Sequence, residues 1–236
     1  MLGYYYGFDM YYVVLVLPCL LFAMWAQHSV NSTFNRYAKV YSRRGMTGAQ
    51  AAAAVLRSNG VTGVQIEQIS GRLSDHFDPS SNVIRLSDGV YGSTSVAAIG
   101  VAAHEAGHAV QYAVGYTPMK VRAAIIPATR IGSALSWPLI ILGLLLNFSG
   151  LALLGVLLFG TATLFQLVTL PVELDASRRA LQTISNSGLL YEDEYPAAKK
   201  TLTAAALTYV ATLAVSAAQF LRLLLIVGGR NNRNRR

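Results

Sequence analysis

Residues 134–171 read ALSWPLIILGLLLNFSGLALLGVLLFGTATLFQLVTLP, 38 positions without a single charged side chain. A straight helix of that length would overrun about 30 Å of hydrocarbon at 1.5 Å per residue. Asn147-Phe148-Ser149-Gly150 sits in its middle as a turn signal. The simplest reading is two membrane spans joined by a tight hairpin, over 133–171. Upstream, Tyr11 to Ala26 is also uncharged, and the stretch from Tyr4 to Ala26 is flanked by tyrosines at one end and Trp25 at the other. That is the pattern of a span between two interfacial aromatic belts. Residues 1–12 contain no Lys or Arg, which argues for a retained anchor over 1–26 rather than a cleaved signal peptide. Downstream, Thr203 to Gly229 is apolar apart from Arg222, which is close enough to the end to snorkel. The expected protein is therefore mainly α, a polytopic membrane protein with three to four transmembrane helices.

Composition agrees. Of 236 residues, 53% are hydrophobic and only 13% charged, against about 25% charged in a soluble domain. This excludes a disordered chain, a collagen-like fibre and a disulfide scaffold, and the lone Cys19 has no internal partner. The net charge of +8 is unevenly placed: ten basic residues lie in 27–132 and four in 172–202. With four spans these two regions share a side, and the positive-inside rule makes that side cytoplasmic. A basic tail, 230–236, would then lie outside, unless the last segment, 203–229, is re-entrant. Anchoring of the last helix end is the expected role of that tail, and no nucleic-acid partner is expected.

The polar region 27–132 has the elements of a small α+β domain. Thr47 can cap a helix over Gly48 to Ser58, and Val64, Ile66 and Ile69 mark a strand. Asp75-His76-Phe77-Asp78-Pro79 reads as a turn, and Asn82-Val83-Ile84-Arg85-Leu86 as a second strand. A helix rich in alanine and glycine follows from about Val96 to Val114, capped by Ser93, Thr94 or Ser95.

That helix contains His104-Glu105-Ala106-Gly107-His108, an H-E-x-x-H pattern. Histidines four apart lie one turn apart on one face, so both imidazoles can reach one tetrahedral metal ion. Glu105, about 100° around the axis, can act as general base beside them. With four histidines and five glutamates in the chain, a shuffled sequence would contain the pattern about once in a thousand times, so chance explains it poorly. One Zn2+ suits such a site, because zinc retains an open coordination position for chemistry.

A third ligand is needed. Pro171-Val172-Glu173-Leu174-Asp175 follows the third span, in a segment, 172–202, that also contains Arg178 and Arg179. Glu173 and Asp175 are about 200° apart on a helix and cannot both face one ion. Glu173 is nearer the apolar boundary, where a cation would offset the cost of an unpaired carboxylate. It is the expected ligand, with Asp175 as its supporting partner or its alternative. His76 is a rival third ligand.

These residues bring a family into view. The chain resembles the YugP-like bacterial membrane proteins called "putative neutral zinc metallopeptidases", of the broader zincin type. The resemblance rests on Asp75-His76-Phe77-Asp78-Pro79, on Arg85-Leu86-Ser87, on Ser95 to Gln111 and on Pro171 to Arg179. It implies a zinc-dependent membrane peptidase whose polar region is a zincin-like domain, with His104 and His108 as ligands and Glu105 as catalytic base. The chain is also similar to membrane gluzincins of the CAAX-processing and stress-protease kind, whose third ligand is a Glu in a later helix, often followed by Ala-Asp. Glu173 and Ala176 match that pattern, and Ser177 stands where the Asp would be.

The expected activity is hydrolysis of membrane-associated or membrane-proximal polypeptides, with the bilayer as the other partner and the oligomeric state unspecified. The strand Asn82–Leu86 is a candidate edge for pairing with an extended substrate. Tyr91, His76, Tyr112 and Arg178 are candidate transition-state stabilisers. The competing class is a membrane scaffold with a purely structural zinc site, for which Glu105 would be unnecessary.

Overall fold

The computed structural model describes residues 4, 5 and 8–233, with side chains over 9–229. The basic tail beyond Gly229 lies outside the described side chains. Among the described residues four helices are long and apolar enough to cross a membrane, and there is a small three-stranded sheet. The chain divides into two compact units, Met1–Trp25 with Lys120–Leu170 and Tyr209–Arg236, and Ala26–Met119 with Pro171–Thr208.

The first unit holds the apolar stretches. Strands β1 (Tyr4–Tyr5) and β2 (Phe8–Asp9) pair antiparallel, and a π-helical stretch, Tyr12–Val16, leads into α1 (Leu17–Tyr37). Helix α5 (Thr117–Leu145) and α6 (Ser149–Asn186) form the expected hairpin, with Asn147 at φ 54° in its turn. Their close packing depends on glycine: a Cβ on Gly155 would come within 2.7 Å of the Ile140 backbone nitrogen, and one on Gly143 within 2.3 Å of that of Ala152. Large apolar side chains such as Leu145, Leu146 and Phe148 point outward. Outward apolar surface is expected when the surrounding solvent is lipid.

Helix α7 (Tyr195–Arg233) contains the last apolar segment. Arg222 on it has a carboxylate partner. Its Nε donates to Asp9 Oδ2 at 2.7 Å, and its guanidinium lies 5.3 Å from the centre of the Tyr12 ring. An arginine in apolar surroundings is expected to pair with a carboxylate.

The second unit is built around α4 (Val96–Ala113), capped by Ser95, whose Oγ accepts the Ala98 N–H. Its small residues let neighbours approach, so 14 of its 18 residues are buried. Helix α2 (Gly48–Ser58) starts with a reciprocal capping box between Thr47 and Gln50. The core around α4 includes Val55, Ile84, Val90, Ile99, Ile184 and Leu202.

The sheet has the order β3 (Gln65–Ile69), β5 (Val83–Ser87), β4 (His76–Asp78), with β5 parallel to β3 and antiparallel to β4. Two expectations change here. The segment 75–79 is a strand over His76–Asp78 rather than a turn, because its backbone finds a partner in β5. Second, β5 is the central strand, paired on both sides, and Asn82 precedes it at φ 56°. The stretch Asn82, Val83, Ile84, Arg85, Leu86 therefore offers no free edge to a substrate.

The helices also run past the limits of the apolar segments. The segment after Pro171 is the uninterrupted continuation of α6, and the last apolar segment begins inside α7. Backbone hydrogen bonds continue through a helix whatever solvent surrounds it.

A buried carboxylate ties the loop after α1 to the loop before α7. Glu194 accepts the N–H groups of Arg43 (2.8 Å) and Tyr191 (3.0 Å) and the Ser42 hydroxyl (3.2 Å). Burial pushes its pKa up, but these donors outweigh burial and hold it below the ordinary glutamate value. A depressed carboxylate pKa stabilises the fold above the unfolded-state pKa, and that contribution is lost as pH falls through the folded value. Glu194→Gln is expected to lower stability by about 1–3 kcal/mol at pH 7. Thermal unfolding of both proteins between pH 7 and pH 4 should show the gap narrowing on the acid side.

Candidate metal centre

Four turns of two helices build this site. His104 and His108 project from one face of α4, with ring centres 4.7 Å apart in an edge-on arrangement. Glu173, on the continuation of α6 beyond Pro171, meets them: its Oε2 is 3.4 Å from each Nε2. One ligand atom from each of the three residues lies within 4.8 Å of the others. Among the described residues this is the one cluster of three or more His, Cys, Asp or Glu side chains so arranged.

The histidines are oriented from behind. His108 Nδ1 lies 3.0 Å from Gln111 Oε1, while Gln111 Nε2 donates to Val172 O (2.8 Å) and to Asp175 Oδ2 (2.9 Å). Because the amide nitrogen is committed to two acceptors, the amide oxygen must accept, so His108 Nδ1 carries the proton and Nε2 presents its lone pair. His104 Nδ1 is 3.0 Å from Ser177 Oγ. Asp175 faces away from the cluster and receives Arg179 Nε (2.6 Å) and Arg178. Its influence reaches His108 through Gln111.

This donor set fits a zinc ion. Two imidazole nitrogens and a carboxylate oxygen converge in a buried site, with Glu173 only 3% exposed. Such atoms repel one another unless a cation or a proton lies among them. The His108 pKa reflects this. Burial pulls it down, but the neighbouring Glu173 and Glu105 carboxylates prevail and hold it above the ordinary histidine value.

Glu105 is outside the cluster but beside it on α4. Its Oε2 accepts the backbone N–H of Phe77 at 3.0 Å, and the residue is 8% exposed. Phe77 is the middle residue of β4, whose other side is paired with β5, so the N–H that holds Glu105 belongs to the outer edge of the sheet.

Other expected site residues lie elsewhere. His76 is exposed on β4, with Nδ1 2.8 Å from Ser74 O. It is not a member of the cluster, because alternation along a strand sends its side chain to the face opposite Phe77. Arg178 is engaged by Asp175, and Tyr112 packs against the Phe77 ring at 5.9 Å. Sequence reasoning missed Gln111 and the role of Ser177. The signal was helical spacing, since Gln111 lies three residues after His108 and Ser177 four after Glu173, each within the same face as its ligand. Removing the Gln111 amide in Gln111→Leu should weaken zinc binding about 10–100-fold. Competition with a chromogenic chelator measures this directly.

A mainly helical membrane protein with four candidate spans among the described residues, carrying a two-histidine, one-glutamate cluster with a second glutamate beside it, is the class that fold and site define. The family model described as "Putative neutral zinc metallopeptidase" matches residues 12–228. A curated relative, the "Putative membrane protease YugP" of Bacillus subtilis (strain 168), is 42% identical over 217 residues, covering 92% of this chain and 96% of the relative. The chain belongs to this metallopeptidase family. No solved structure matches it at a level that supports comparison.

Proposed function

We propose that the protein is an integral membrane zinc endopeptidase that holds one Zn2+ through His104, His108 and Glu173 and cleaves membrane-associated or membrane-proximal polypeptides. The observation that carries this reading is the convergence of those three ligand atoms within 4.8 Å, with the Glu105 carboxylate one residue along the same helix. When bound, zinc supplies a Lewis acid that polarises the scissile carbonyl and acidifies water.

This chain's residues supply the rest. Glu105, held by the Phe77 N–H, takes a proton from the attacking water and passes it to the departing amine. Gln111 keeps the His108 imidazole in the tautomer that directs Nε2 into the site, and Ser177 helps orient the His104 ring. Because Glu173 follows Pro171 on a helix that also contains a span, the substrates favoured are those presented close to lipid. The placing of 14 of the 19 basic residues in 27–132 and 172–202 favours a cytoplasmic position for this unit.

The test uses full-length protein in nanodiscs. Elemental analysis should give one zinc per chain, and Glu173→Ala should lower zinc affinity by at least about a hundredfold, beyond the loss expected from an outer partner. Cleavage of a panel of unfolded membrane polypeptides should stop on chelation and return with zinc. Stoichiometric zinc without zinc-dependent cleavage of any panel member would overturn the peptidase reading.

A further inference from the structure

A groove of about 480 Å3 lies between the end of α1 and the start of α7, both within the second unit. On α1 it is lined by Ser29, Thr33, Arg36 and Tyr37, spaced as one helical face. On α7 the corresponding face presents Lys199, Lys200, Thr203 and Leu207. Three cations and several hydroxyls therefore line the groove, and no carboxylate does. Arg36, Lys199 and Lys200 are exposed, and among the described residues none has a carboxylate within salt-bridge distance. The Arg36 guanidinium instead lies 5.6 Å from the Tyr37 ring centre.

We propose that this groove binds the headgroup of an anionic phospholipid. Charge complementarity selects a phosphate: like charges gathered on two facing helices repel one another, and an anion between them reverses the sign of that interaction. Ser29, Thr33 and Thr203 add neutral donors suited to phosphate and glycerol oxygens. Lipid is favoured over free phosphate because Ala204 and Leu207 continue the α7 face as apolar surface, and both helices contain candidate membrane spans. The volume falls within the range of small-molecule sites. A headgroup here would brace the two helices against each other, independently of the metal centre.

Native mass spectrometry of the delipidated full-length protein, titrated with phosphatidylglycerol or phosphatidylcholine, tests the proposal. Phosphatidylglycerol should bind preferentially. At about 1 kcal/mol per cation near an anionic surface, each of Arg36→Gln, Lys199→Gln and Lys200→Gln should weaken it about fivefold, and the triple variant roughly a hundredfold. Removing three cations outside the groove, in Lys39→Gln/Arg57→Gln/Lys120→Gln, should leave affinity near that of the wild type. Zinc content and thermal unfolding report whether the triple variant is folded; if it is not, the single variants decide. Unchanged affinity in the folded groove variants, an equal loss in the control, or equal binding of phosphatidylcholine would overturn the proposal. Inorganic phosphate that protects against thermal unfolding as well as phosphatidylglycerol does would assign the groove to a free anion and overturn the lipid assignment.

Discussion

Glu105→Gln should keep its zinc and its fold while losing about 10²–10⁴-fold in peptide hydrolysis, the range for removal of a positioned general base. Glu105 is not one of the three clustered side chains, so metal content need not change. The glutamine retains a carbonyl oxygen in the place where the Phe77 N–H donates at 3.0 Å, so the contact between α4 and β4 survives. What disappears is the capacity to accept and return a proton. Zinc content by elemental analysis, melting temperature and turnover, measured on one preparation, separate these effects. A membrane scaffold with a structural zinc would give the opposite pattern, with Glu105→Gln matching the wild type in every measured property.

The second large effect is expected at Gly107, which faces α6 between the two histidines. A Cβ there would lie 2.7 Å from the Ala176 carbonyl oxygen and 3.3 Å from its Cα. Both are backbone atoms, so no side chain can move aside; α4 and α6 must separate. Overpacking of this kind costs about 1–3 kcal/mol. The displaced backbone lies between Glu173, the third member of the cluster, and Ser177, whose Oγ is 3.0 Å from His104 Nδ1. Gly107→Ala should therefore lower zinc affinity about 10–100-fold, as disturbing supporting residues does, and lower the melting temperature as well. Gly100→Ala is the internal control. Its Cβ would meet Ala198 at 3.8 Å, an ordinary contact, and the better helix former should leave stability unchanged or raise it by up to about 1 kcal/mol. Equal behaviour of the two variants would remove the close helix crossing as the reason for a glycine at 107.

The spans and half of the site were legible because they are local. A hydrocarbon environment demands about 20 apolar residues in a row, and a helical pair of ligands demands a spacing of four; both are written contiguously. The Thr47 cap and the turn at Asn147 were legible for the same reason. Residues 75–79 were misread because their composition is that of a turn. Their backbone becomes a strand only through β5, and a pairing partner is not a property of the segment that pairs. The edge assignment failed similarly: β5 alternates as an edge strand might, and only the order β3-β5-β4 places it in the centre.

Sequence alone therefore determined that this chain has three to four apolar stretches long enough to meet lipid and carries two histidines on one helical face with a glutamate beside them, since periodicity and hydropathy act over a few turns. Tertiary structure decided the rest. It brought Glu173 to His104 and His108 across 69 and 65 positions of chain, turned Asp175 toward Gln111, set Ser177 beside His104, and paired Arg222 with Asp9. Those outcomes depend on how closely two helices approach, which small residues such as Gly107 and Ala176 permit and no local pattern specifies.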